Sequence, residues 1–109
     1  VEIDKVEQHT VNLSIFNGNG IEGNASRVSK ILEVKYKILE VGNAAHFDYP
    51  GTEIRLYTDE PYGGDARKAA NDIKVILMNE TTISEPIIIR YPARNIDSDI
   101  IIVLGADCK

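Results

Sequence analysis

With one cysteine, Cys108, and two histidines, this 109-residue chain is short of the side chains that most often carry metals and nucleophilic catalysis. A lone thiol makes no internal disulfide, and its place next to the last residue argues against a catalytic role. It suits a cytosolic protein and a disulfide-free exported one equally. Positive charge is also in short supply: 12 Lys and Arg stand against 17 Asp and Glu, a net charge of -5. Nucleic acids and anionic membranes reward clustered cations through counterion release, so neither is an expected partner. Long apolar runs are missing as well. The longest, Ile100 to Leu104, falls far below the run of about 20 residues that spans a bilayer, so the segment is expected to be soluble, with no direct membrane insertion. No signal peptide opens the sequence at Val1, which fits a fragment whose anchor or leader lies elsewhere. Serine nucleophile elbows, Cys/His pairings and Walker loops are absent, and the carboxylates are dispersed. No enzyme activity, catalytic residue, metal or cofactor is expected.

What remains is an ordinary globular composition, 43% apolar and 27% charged, with enough length for one core and not two. Residues 1–10 read as a linker or lead-in, and residues 11–109 as the domain. Val11, Leu13 and Ile15 alternate with polar neighbours, the period of a half-buried strand. Asn17-Gly18-Asn19-Gly20 breaks it, and Asn19 with Glu22 three residues later has capping-box spacing. Ile21, Ala25, Val28 and Leu32 then form one helical stripe. Tyr36 to Val41 and Thr52 to Thr58 read as strands joined through the turn dipeptide Pro50-Gly51. From Asp65, the residues Ala66, Ala69, Ala70, Ile73, Ile76 and Leu77 mark a second amphipathic helix. Ile87 to Tyr91 and Asp99 to Leu104 finish the domain as strands, separated by Pro92 and Asn95, with the last apolar on both faces and hence central. The order predicts an α+β fold in which two helices pack on one face of a mixed four- to five-stranded sheet, in ferredoxin-like βαββαβ order.

Gly18-Asn19-Gly20-Ile21-Glu22-Gly23 matches the dinucleotide fingerprint, with Glu40 at the expected distance for a ribose contact. However, the chain continues into a strand, not the next helix of a doubly wound sheet, and leaves no room for a second mononucleotide half. A tight turn and helix cap, with Asn17 and Asn19 satisfying backbone groups, explains every residue of the motif. His46 and Asp48 lack a third ligand at a recognisable spacing, because His9 lies in the lead-in. Asp48 reads as a turn residue capping local amides, with Phe47 and Tyr49 anchoring the loop in the core.

Taken together, the chain resembles the LytR C-terminal domain family across about residues 11–108. The matching landmarks are Leu13 to Gly20, Gly23, Val41-Gly42-Asn43-Ala44, and Phe47-Asp48-Tyr49 with Thr52 and Ile54. The Ala-rich second helix and Val103-Leu104-Gly105-Ala106-Asp107 complete them. It departs from the pattern at Lys35-Tyr36, where a Gly is expected, and in the long stretch from Thr81 to Asp97. The resemblance implies an extracytoplasmic, cell-envelope setting and an accessory role, often beside the catalytic domain of LytR-CpsA-Psr proteins, and it carries over no catalytic residue.

The expected function is a non-catalytic module contacting wall polymer or an envelope protein; the alternatives are a self-association module and a nucleotide-binding enzyme domain. If helices cover the face carrying Leu13, Ile15, Ile54 and Leu56, then Asn12, Ser14, Arg55 and Tyr57 point to the other. There Tyr57 can stack on a sugar and Arg55 can grip a carboxylate or phosphate. An ordinary solvated sheet face competes with that reading. Asn17, Asn43 and Asp48 are candidates for the rim.

Overall fold

The computed structural model describes residues 11–58, 64–92 and 98–109. The lead-in with His9, and Asn95, lie outside the described residues. The elements are β1 (Asn12–Asn17), α1 (Asn24–Leu32), β2 (Lys37–Asn43), β3 (Glu53–Tyr57), α2 (Gly64–Glu80), β4 (Ile87–Tyr91) and β5 (Ile100–Leu104). They form a mixed five-stranded sheet in the order β2-β1-β5-β3-β4. β1 runs parallel to β2 and to β5, β3 runs parallel to β4, and β3 meets β5 antiparallel.

The chain therefore builds two βαβ units, β1-α1-β2 and β3-α2-β4, joined through β5. The units run antiparallel and step outward in opposite directions along the sheet. Right-handed crossover, the rule for such units, then puts both helices on the same face. The α+β class and the shared helical face follow expectation. The ferredoxin-like order does not: there another strand separates the two strands of each βαβ unit, whereas β1 and β2 pair directly, as do β3 and β4. The apolar β5 takes the centre of the sheet, where β1 and β3 pair with both of its edges.

The registers align Leu13 with Ile100, Ile15 with Ile102, Ile54 with Ile102 and Leu56 with Ile100. These six side chains are all 0% exposed and pack with Val28, Leu32, Ile73 and Leu77 in one core. Burying each such side chain stabilises the fold by roughly 1.5–3 kcal/mol. On α2, buried Ala66, Ala69 and Ala70 let the helix lie close to the sheet.

Local boundaries differ from the sequence reading in three places. First, α1 starts at Asn24 with Gly23 as its N-cap and no side-chain cap, so Ile21 precedes the helix and is 42% exposed. Second, β2 runs through Gly42 and Asn43, which pair with Phe16 and Asn17, and its register shifts opposite Leu13 and Ser14. Third, the glycine-free turn after α1 closes by Tyr36 N–H donating to Leu32 O at 2.9 Å. The Tyr36 hydroxyl and Lys35 Nζ then reach Asp72 on α2 at 2.5 and 2.7 Å, tying the two helical units together.

Candidate functional site

Three segments meet beyond the C-terminal ends of β1 and β5: the Gly18 to Gly23 turn, the β2–β3 loop and residues 105–109. Close backbone contact requires glycine at two positions. A Cβ on Gly18 would lie 2.6 Å from Tyr49 Cδ2, and one on Gly105 would lie 2.3 Å from the Gly51 carbonyl carbon. Backbone bonds from Ala44 to Asn17, from Tyr49 to Gly18 and from Ala106 to Tyr49 fasten the loop to both strand ends. Thr52 Oγ1 donates to Asp107 Oδ1 at 2.7 Å and accepts from Gly105 N–H.

The glycine-rich turn is thus occupied by the protein's own chain. Asn19 Nδ2 donates to the carbonyls of Gly105 and Cys108 at 2.7 and 2.8 Å, and Asn24 Nδ2 donates to Cys108 O at 2.7 Å. Arg27 Nη2 donates to Asn24 Oδ1 and to Lys109 O. Asn19 is therefore a clasp for the last strand's exit, not the expected helix cap. Its Oδ1 accepts from Ile21 N–H within the turn. Asn17 is buried, donates to Ile21 O, and keeps an unpartnered buried Oδ1. Glu40 lies opposite Ser14, inside β2 and not at its end. Burial raises the Cys108 thiol pKa against the opposing effect of Arg27, as in an inert buried cysteine.

The sheet face away from the helices is open in that no described helix covers it; on it Ser14 and Val103 are buried, and Phe16, Glu53, Arg55 and Ile101 are half-buried. In register across it lie Ile89, Arg55, Ile101 and Ser14 in one row, and Ile87, Glu53, Val103 and Phe16 in the next. At the β2–β3 loop this face carries a groove of about 250 Å³ with Phe16, Ile101 and Val103 along it. Ala44, Ala45 and Tyr49 line it from the loop, and Asn43 and Arg55 add the polar groups. Arg55 Nε donates to Glu53 Oε1 at 2.9 Å, and Nη2 forms an ion pair with the same oxygen at 2.9 Å. The guanidinium sits 5.7 Å from the Tyr49 ring centre, and Nη2 is 3.5 Å from the Tyr49 hydroxyl. Partial burial opposes its charge, but the bonds to Glu53 and Tyr49 prevail and raise its pKa above the usual arginine value. His46 stacks on Tyr49 at 4.3 Å and pairs with Asp48.

Of the residues nominated from sequence, Arg55 and Asn43 meet in this groove. Tyr57 lies farther along the face, stacked on Tyr91 at 5.1 Å. Asn12 N–H donates to Asp99 Oδ2. Ser14 is 4% exposed and shares a 2.5 Å hydrogen bond with Ser98. Asp48 is exposed and engages His46, not the local amides. Phe47 is 51% exposed over Gly20, so it does not anchor the loop in the core. Tyr49 anchors the loop against Gly18, outside that core. Sequence reasoning missed Phe16, Tyr49, Ile101 and Val103 as groove residues; the signal was a last strand apolar on both faces, which had to present one face away from the helices. Among the described residues, no three His, Cys, Asp or Glu side chains cluster to hold a metal, and no helix is long and apolar enough to cross a membrane.

Comparison with protein families matches residues 10–107 to the family described as LytR cell envelope-related transcriptional attenuator. Among solved structures, the solution structure of the C-terminal domain of RV0431 superposes with a TM-score of 0.52 at 17% identity, covering 97% of this chain and 78% of that one. At that identity the likeness is one of fold. Comparison with curated proteins finds no match.

Proposed function

The chain belongs to the LytR C-terminal family, whose domains are accessory parts of cell-envelope proteins, and from that premise we propose that it is a non-catalytic, extracytoplasmic binding module. It contacts wall polymer or an envelope protein through the open face of its sheet. The observation that carries this reading is the contrast between the two faces. Helices bury Leu13, Ile15, Ile54, Leu56, Ile100 and Ile102 on one, while the other keeps a groove lined in part by Arg55, Asn43 and Tyr49. A sheet face with apolar residues, an arginine and an aromatic is an economical recognition surface, because those side chains dominate interface energetics.

The test is co-sedimentation of the domain with purified wall material and, separately, with membrane vesicles carrying envelope proteins. The wild type is expected to pellet with one of them, and an Asn43→Ala, Arg55→Ala double variant with unchanged circular dichroism is expected to stay in solution. Equal retention of both proteins would remove the groove from the binding surface.

A further inference from the structure

We propose that the groove takes the C-terminal residue of a polypeptide, with its apolar side chain against Phe16, Ile101 and Val103 and its carboxylate at Arg55 and Tyr49. This deepens the open-face reading above and rests on it.

Size sets the first limit. At about 250 Å³ the groove falls just below the range of about 300–1,000 Å³ typical of small-molecule sites, so it holds a residue or two and not a long polymer segment. Chemistry sets the second. Five aliphatic or phenyl side chains line it, against Asn43, Arg55 and the Tyr49 hydroxyl as polar groups. A sugar ring would bring more hydroxyls than these can satisfy, and each buried hydroxyl left unpaired is costly. An apolar side chain meets no such penalty.

The carboxylate follows from how Arg55 is held. Glu53 uses a single oxygen, Oε1, to accept from Nε and to pair with Nη2, which holds the guanidinium by that edge. Nη2 also donates to the Tyr49 hydroxyl oxygen at 3.5 Å, and Nη1, which bonds to neither partner, keeps its hydrogens to donate to a carboxylate. The Tyr49 oxygen accepts from Nη2, and its own O–H is a second donor for the same carboxylate. Glu53 also repels an incoming anion, so with a groove this small the affinity is weak, with Kd on the order of a millimolar. A free C-terminus supplies the apolar side chain and the carboxylate on one residue, which is what the volume admits; an internal Asp or Glu would need two.

The experiment titrates the ¹⁵N-labelled whole chain with acetyl-Ala-Ala-Leu as the free acid and as the C-terminal amide. Acetyl-Ala-Glu-Leu amide and an N-acetylglucosamine tetramer form the other arms. The free acid is expected to give saturable shifts at Asn43, Ala44, Ala45, Arg55 and Ile101, with the amide at least ten-fold weaker. Arg55→Lys, which keeps the charge but loses the fixed Nη1 donor, should weaken the acid about ten-fold with spectral dispersion intact. Equal binding of acid and amide, equal binding of the internal-glutamate peptide, or tighter binding of the saccharide at these amides would overturn the proposal. So would the absence of saturable shifts with the acid. If Asn43 and Arg55 still govern co-sedimentation while the acid leaves these amides unmoved, this inference fails and the open-face reading stands.

Discussion

At the residue scale, backbone contact and side-chain clasps do most to shape the loop end of the molecule. Gly105 and Gly51 touch there, yet only one of them is intolerant: the nearest atom to a Cβ on Gly51 is Asp107 Oδ2, at 4.0 Å. Gly105→Ala is therefore expected to cost about 3 kcal/mol, near the upper end of what overpacking causes, and Gly51→Ala less than about 1 kcal/mol, as read by urea denaturation. Asn19 satisfies two carbonyls at once, so Asn19→Ala should lose about 1–3 kcal/mol. A neutral result would mean that water replaces the clasp. Asp72 gives a pH signature. Hydrogen bonds from Lys35 and Tyr36 hold its carboxyl below the ordinary carboxylate range. A depressed folded pKa contributes stability above the unfolded value, near 3.9, and that contribution disappears as pH falls through the folded value. The loss in stability between about pH 5 and pH 2 should therefore be shallower in Asp72→Asn than in the wild type. The Lys35–Asp72 pair is largely solvated, so the difference is small.

At the element scale, the central strand carries the fold. Ile102 is 0% exposed and stands between Ile15 and Ile54, so Ile102→Ala should destabilise by about 2–5 kcal/mol, whereas Ile21→Ala, outside α1 and 42% exposed, should change stability by less than about 0.5 kcal/mol. Thermal and urea unfolding of the two variants check this. The strands and helices were legible in the sequence because alternation at Leu13 and Ile15, and helical spacing from Ala66 to Leu77, report a single buried face directly. The strand order was not, since neither a run of isoleucines nor its length says which strands flank it. The same gap hid half of the groove: Arg55 could be assigned to the open face from alternation, but Ile101 and Val103 could not. The mistaken cap at Asn19 has a physical cause as well. An asparagine three residues before a glutamate serves a helix start or a tertiary clasp equally, and only the last strand's exit decides.

At the scale of the whole molecule, the two-layer design leaves one sheet face and two edge strands to be managed. Pro86 and Pro92 bracket β4, and the register shift with Lys37 and Glu40 marks β2, devices that discourage edge-to-edge pairing. Light scattering across a concentration series should accordingly keep the mass near 12.1 kDa; a mass that climbs with concentration would favour self-association. The open face is the larger question, and hydrogen–deuterium exchange tests it most directly, comparing the free domain with the domain bound to whichever envelope fraction, wall or membrane, retains it. Binding through this face predicts added protection in residues 43–57 and 100–104, with α2 residues 67–79 unchanged. Protection confined to the helices, or none with either fraction, would contradict it.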